Sequence, residues 1–397
     1  MRILHWDEMF HPTFGYQINV LPKYQVKQGH EVIILTSEKI EKHPTFSKFG
    51  NNIDIANEDK KYTEKYGVRI IRLPIHKVIS GRVIYKKGFI KKIKELSPDV
   101  LMCHTNDTLS SIRITQKYKS LGIPIVFDNH MLEMASKNPL NKLFRIYFKN
   151  FVTPIIIKNN LTVIRTQDDN YVNKHLGIPS HLTPFISFGS DTTLFHPDLE
   201  EKRILRTELN IDDDEFVVIY TGKLTESKGG KLLANAFLEK FGAENKVTLV
   251  VVSNSNGEYE KEVDEIFAKS KNRILRFPTQ NYFDLPKFYK LADLSVFPKQ
   301  CSLSFFDAQA TGLPVIAEDN NVNIERLSHN NGFVYETDNI ESFKEAILKV
   351  IRMSNKEYKI ISRNSFRFVK KNYDYSDIAS KYTSLLHQEV KKYKNDN

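Results

Sequence analysis

Lys223 and Lys228 sit on a short loop, TGKLTESKGG (221–230), that follows the strand-like run FVVIY (216–220). Two cations and a glycine, Gly222, at a strand end are suitable partners for a diphosphate, which carries about two negative charges. Lysines on loops are common, so it is the strand-end position that carries the reading. A second stretch, FPKQCSLSFFDAQATGLPVIA (297–317), runs from a strand through a small polar turn at 300–304 into a helix that breaks at Thr311-Gly312. Free backbone N–H groups and the positive end of a helix dipole there suit an anion. Asp307, one turn into that helix, is placed to accept hydrogen bonds from vicinal hydroxyls such as those of a ribose. An ordinary strand–helix–strand unit with a polar cap has the same pattern. His130 closes a third run, IPIVFDNH (123–130). There it either donates to a reacting group or is a satisfied core imidazole. Glu133, three residues on, is a candidate acceptor contact. Gly15 precedes a helix, where its backbone N–H groups could approach a phosphate or sugar, although a plain turn reads the same.

These residues need a scaffold, and apolar runs of strand length supply it: RILHW (2–6), EVIILT (31–36), VRIIRLP (68–74), VLMCH (100–104), IPIVFDNH and LTVIRT (161–166) in the first half. In the second half come FVVIY, VTLVVV (247–252), RILRF (273–277), LSVFP (294–298), PVIAE (314–318) and GFVYE (332–336). Amphipathic segments such as 84–95 and 108–121 separate them. Alternating buried strands and helices predict α/β, doubly wound parallel sheets with ligands at the carboxyl ends of the strands. HLTPFISFGSDTTLFHP (181–197) reads as a last strand, a turn at Gly189 and a linker. The domains are therefore expected over 1–190 and 198–374, with a C-terminal helix, 375–397, returning to the first. Segment 38–67 is polar with little periodicity and reads as a loop.

With 397 residues and 41% hydrophobic content the chain can bury two full cores. Its net charge of +10 is uneven: residues 1–190 hold 28 Lys and Arg against 16 Asp and Glu, and the rest hold 30 against 32. The basic half is expected to face something anionic, with a membrane surface among the candidates. Two stretches mix cations with aromatic and aliphatic residues, YKKGFIKKIK (85–94) and KLFRIYFKNFVTPIIIK (142–158), and both suit an anionic bilayer or simple packing on the sheet. No nucleic-acid module is recognisable, so nucleic acid is not an expected partner. Cys103 and Cys301 form no metal-ligand or disulfide pattern. Asp7 and Glu8 fall where a signal peptide would need apolar residues. The expected location is cytoplasmic, or peripheral on the inner face of the plasma membrane.

In order along the chain, MRILHW…FHPTFGY…KQGHEVIILT, SPDVLMCH, GIPIVFDNH, FISFGSDTTLFHP, TGKLTESKGGKLLANAF and DAQATGLPVIA resemble the retaining glycosyltransferases of family 4 nearly end to end. The last piece is similar to that family's highly specific EAMA-x-G-x-PVIA. The resemblance implies the GT-B fold, two Rossmann-like domains facing each other across a deep cleft. It also implies a nucleotide-sugar donor, UDP-linked or GDP-linked, a hydroxyl of a glycan or lipid-linked acceptor, retention at the anomeric carbon, and no metal or other cofactor.

Carried over by motif, Lys223 and Lys228 are implied on the donor diphosphate. Ser302, Leu303 and Ser304 are implied beside the sugar and distal phosphate, Asp307 on the ribose, and Thr279 near the base. Gly15 and His130 are implied on the sugar and acceptor side. Lys299 stands where the family has a glutamate that contacts the donor sugar, which reverses the local charge. That substitution leaves three readings open: an active transferase of polysaccharide or glycolipid assembly, a catalytically silent GT-B partner or binding subunit, and a related phosphorylase or sugar-phosphate synthase.

Overall fold

Runs such as EVIILT and VTLVVV have no polar face, so they are stable only as strands covered on both sides. In the computed structural model they are central strands of two parallel sheets. All residues are described except 41–42, 48–53, 80, 87, 132–140, 168–170, 243, 300–303 and 397; Glu133, Ser302 and Leu303 therefore lie outside the described residues. The chain forms two compact units, Met1–Phe188 with Tyr375–Asn397, and Gly189–Asp374.

The first unit contains β1 (Arg2–Trp6), β2 (Glu31–Ser37), β3 (Arg69–Leu73), β4 (Ile75–Ile79), β5 (Arg82–Tyr85), β6 (Val100–Cys103), β7 (Ile125–Asn129) and β8 (Thr162–Arg165). Six of these pair in the order β3-β2-β1-β6-β7-β8, all parallel, while β4 and β5 form an antiparallel pair. The second unit contains β9 (Phe216–Thr221), β10 (Val247–Val252), β11 (Arg273–Phe277), β12 (Leu294–Phe297), β13 (Val315–Glu318) and β14 (Gly332–Tyr335). Their order is β11-β10-β9-β12-β13-β14, again parallel throughout. Strand order thus reverses between β1 and β6 in one sheet and between β9 and β12 in the other. In doubly wound sheets the ligand crevice opens at that reversal.

Several sequence expectations are corrected. Segment 38–67 is not one long loop: Ile55–Tyr66 is a helix that starts on Asp54, whose side chain accepts from the Asn57 N–H, and stops at Gly67. Its polar surface hid the residues that anchor it: Tyr62, buried in a cluster with Phe10 and Val68, Tyr66 packed on the same cluster, and Asp59, paired with Arg72 at 2.6 Å. The expected helix 84–95 is only Phe89–Glu95, because Arg82–Tyr85 pairs as β5. Within 181–197 there is no strand; Phe185 makes a single bridge to Arg165, and Pro184 beside it has no N–H to extend a ladder.

The last helix, Tyr375–Asp396, packs within the first unit. Tyr375 stacks on Tyr24, the Thr383 hydroxyl donates to Gln28 Oε1 at 2.7 Å, and Tyr382 is fully buried. Truncating that ring leaves a cavity in a close-packed interior. Tyr382→Ala is expected to lose about 3–5 kcal/mol in urea unfolding, whereas the exposed Lys381→Ala leaves the midpoint unchanged.

Candidate functional site

In the second unit, β9 ends at Thr221 and the lysine loop follows, with Lys223 exposed and Lys228 half-buried. The Tyr220 hydroxyl donates to the Lys223 carbonyl at 2.5 Å, which curls the loop back on its own strand. A short 3-10 turn, Glu226–Lys228, leads into the helix Gly230–Ala236. Two glycines make this path possible. Gly229 has a left-handed φ of +76°, and a Cβ there would lie 2.9 Å from Pro298 Cβ. A Cβ on Gly230 would lie 2.3 Å from the Leu224 carbonyl oxygen. The lysine loop therefore rests directly on Pro298 and Lys299, at the start of the turn after β12. The Tyr335 hydroxyl, donating to the Pro298 carbonyl, holds that turn to β14.

Lys299 is not a lone cation. Its Nζ lies 2.5 Å from the carboxylate of Asp338, a non-glycine residue held at a left-handed φ of +59°. The lysine that stands where the resemblance leads one to expect a glutamate is thus matched by a carboxylate from the loop after β14.

Ser304 opens the helix Ser304–Ala310, and Asp307 lies within it, buried. The Ser190 hydroxyl donates to Asp307 Oδ1 at 2.6 Å. Burial, with Asp191 nearby, outweighs that bond and pushes the Asp307 carboxyl up to about 7. Tyr289, fully buried, hydrogen-bonds Thr221 at the end of β9. Thr279 sits apart from it. Its N–H donates to Asn254 Oδ1 at 2.8 Å and its Oγ1 accepts from the Asn254 N–H at 3.2 Å, tying the loops after β10 and β11 together.

In the first unit the reversal between β1 and β6 carries a chain of imidazoles. His5 Nε2 meets Gln25 Oε1 at 2.6 Å, and His5 Nδ1 meets His104 Nε2 at 2.8 Å. His104 Nδ1 lies 3.3 Å from one oxygen of Asp128, and His130 Nε2 lies 2.8 Å from the other. Burial, with His104 beside it, drives His5 down to about 3, so it stays neutral. Burial alone would raise Asp128, yet His130 and His104 hold its carboxyl well below the usual range. Burial likewise opposes charge on His130, and Asp128, backed by Asp7 and Asp107, overcomes it and raises the imidazole above 6.5. His130 is the partly exposed end of this chain, edge-on to Phe188 at 5.0 Å. Gly15 lies one residue before the Tyr16 cap of the helix Gln17–Lys27 and is not among the glycines with positive φ, so its conformation does not require glycine.

His104, Asp128 and His130 also offer ligand atoms within 4.8 Å of one another. At 2.8 Å, however, His130 and Asp128 touch as an ion pair, closer than the ~3.3 Å between two ligands sharing one tetrahedral ion.

The fold therefore brings Lys223, Lys228, Lys299, Ser304 and Asp307 to one strand-order reversal, with Thr279 at the next strand pair. Sequence reading missed Ser190, Tyr289, His5, His104 and Asp338. A lone hydroxyl or imidazole on a strand, helix or loop carries no local signal, and Asp338 reaches the site only through the left-handed turn after β14.

Two sequence families match the chain: Glycosyltransferase Family 4 over residues 18–181 and Glycosyl transferases group 1 over 201–368. The probable sucrose-phosphate synthase of Thermosipho melanesiensis is 24% identical over 96% of this chain and 92% of its own. The UDP-Gal:alpha-D-GlcNAc-diphosphoundecaprenol alpha-1,3-galactosyltransferase of Escherichia coli is 25% identical over 69% of this chain and 71% of its own. Among solved structures, Anabaena Alr3699/HepE in complex with UDP and glucose superposes with a TM-score of 0.73 at 16% identity, covering 98% of this chain and all of that one.

Two measurements test the site. From about pH 4 to 7 the folded chain keeps a proton on Asp307 that the unfolded chain has lost. Stability from this group is therefore greatest at the acid end of that window, falls as pH rises towards 7, and levels off above it. The difference in Tm between wild type and Asp307→Asn should accordingly shift in favour of the variant as pH is raised through the window, and a flat difference would count against a buried carboxyl. In the first unit, Asp128→Asn is expected to drop the His130 pKa from above 6.5 to below it, read from its imidazole resonances by NMR.

Proposed function

Because the chain belongs to the family 4 glycosyltransferases and has their two-domain GT-B fold, we propose that it transfers a sugar from a nucleoside diphosphate to a hydroxyl with retention of anomeric configuration. UDP is the favoured carrier, with GDP next. The acceptor is a glycan or a lipid-linked sugar of bacterial surface polysaccharide or glycolipid assembly. The observation that carries this reading is the seat of the Gly229 turn on Pro298 and Lys299, which brings the lysine loop against the end of β12 at the β9–β12 reversal. The UDP named for the Escherichia coli relative and held by the Anabaena structure supports the choice of carrier.

The barrier in such a transfer is the separation of a diphosphate from an oxocarbenium-like sugar. Lys223 and Lys228 stabilise the charge that develops on the leaving oxygen. Fixed groups do this best because they need not reorganise as charge moves. Ser304 and the backbone before it serve the distal phosphate, and the ionised form of Asp307 accepts from the ribose hydroxyls. With two cations on the diphosphate, this scheme requires no metal. The departing phosphate takes the acceptor's proton, so no protein base is needed. His130, made more basic by Asp128, donates a hydrogen bond to a hydroxyl of the transferred sugar or the acceptor.

A second reading, a silent binding subunit, draws on Lys299 and its pairing with Asp338, which replaces a donor-contacting carboxylate by a neutralised pair. Turnover separates the two.

Lys223→Ala and Lys228→Ala are each expected to lower kcat about 10²-fold or more with the preferred donor, while UDP still raises Tm by mass action. A thermal-shift panel of UDP-, GDP- and ADP-sugars identifies that donor first. Wild-type turnover in both variants would refute the diphosphate clamp. Donor binding without turnover in the wild type, regained in Lys299→Glu, would favour the silent reading.

A further inference from the structure

The two cationic, apolar stretches of the first half are sorted by the fold. In 85–94 the apolar residues point inward: Tyr85, Phe89 and Ile93 are buried, and the two rings pack against Trp6. Stretch 142–158 is different. It is a continuous helical rod built from Asn141–Tyr147, a π-helical turn Phe148–Val152, and Thr153–Lys158. One side, Phe148, Val152 and Ile156, is fully buried in the core. The side away from them is also apolar: Leu143 is 66% exposed, Phe151 62% and Ile146 58%, with Tyr147 and Ile157 beside them. A surface helix of a globular domain normally turns a polar face outward. Five of the fourteen exposed large hydrophobic residues described in the whole chain fall in this one rod, so they form a patch rather than a scatter. Tyr147 and Phe151 stack on each other at 5.3 Å, presenting a shared aromatic surface.

The charge around the patch is of one sign. Between 134 and 167 the sequence has no Asp or Glu. Lys142, Lys149 and Lys158 are exposed, and among the described residues none of them enters an ion pair. Arg145 is committed inward, over the Tyr171 ring and against His175. No described helix is long and apolar enough to cross a membrane.

From this we infer that the outer face of helix 141–158 lies on an anionic bilayer surface, with Leu143, Ile146, Tyr147 and Phe151 in the headgroup–acyl boundary and Lys142, Lys149 and Lys158 on anionic headgroups. An apolar face flanked by lysines binds such a surface through both its area and its charge. A second copy of this chain fits less well. A two-fold interface brings the same patch together twice, so lysines would meet lysines with no carboxylate among them. The inference does not depend on which sugar is transferred, or on transfer at all.

Co-sedimentation of the full chain with vesicles tests it. Wild type should sediment with vesicles of equal parts phosphatidylglycerol and phosphatidylcholine, stay in solution with phosphatidylcholine alone, and release in high salt. Lys142→Glu is expected to weaken binding roughly fivefold or more, and Leu143→Ser with Phe151→Ser roughly tenfold or more. Lys86→Glu with Lys94→Glu, which changes more charge but lies off the patch, should bind as wild type. Since every altered side chain is exposed, unchanged thermal unfolding is expected throughout. Equal loss in the off-patch variant would mean general electrostatic adhesion and overturn the proposal. So would a lipid-free dimer that Leu143→Ser with Phe151→Ser dissociates, seen by light scattering.

Discussion

Everything chemical in this protein depends on the reversal of strand order in each parallel sheet. Crossovers between parallel strands are right-handed, so strands added to either side of the first one send their helices to opposite faces. At the reversal no helix crosses the strand ends, and the loops there keep polar atoms that sheet and helix bonding would otherwise consume. In the second unit those loops are 222–229 and the turn after Phe297; in the first they follow Trp6 and Cys103. The charged groups near the two reversals differ in kind. The second unit places cations on exposed or half-exposed loops, while the first places Asp128 wholly inside and lets His130 reach outward.

That difference follows from what burial does to ions. A buried carboxylate is tolerable only with partners. Asp128 has two imidazoles and remains ionised, while Asp307 has one hydroxyl and a neighbouring carboxyl and does not at low pH. The two residues look alike in sequence and behave in opposite ways, and their neighbours alone account for it. Lys299 makes the same point on the surface. A reversed charge in a motif would be disruptive if the rest of the site were unchanged, but Asp338 supplies the opposite charge from another loop.

The surface rod 141–158 carries apolar side chains on both its buried and its exposed side. Its inner row of Phe148, Val152 and Ile156 suffices to dock it on the sheet. The outer row, Leu143, Ile146 and Phe151, is more than half exposed, so burial in the unit does not account for its apolar character.

How much of this could be read in advance depended on how local the signal was. The strands were legible because a run buried on both faces must be continuously apolar, and the lysine loop and Asp307 helix because their residues are neighbours in sequence. Helix 55–66 was not legible, since Tyr62, Tyr66 and an ion pair from Asp59 to distant Arg72 anchor an otherwise polar segment. Strand β5 was hidden too, its last two residues reading as the start of the expected helix 84–95. The sequence by itself determined the two α/β sheets, the strand ends that hold the candidate residues and the family to which the chain belongs, because period and motif are properties of adjacent residues. Only the tertiary structure decided that Ser190 caps Asp307, that Asp338 answers Lys299, that Gln25, His5, His104 and Asp128 line up behind His130, and that one of two similar basic stretches faces outward. Those facts are distances between residues far apart in the chain, and what sets them is the packing of the sheets rather than any local preference.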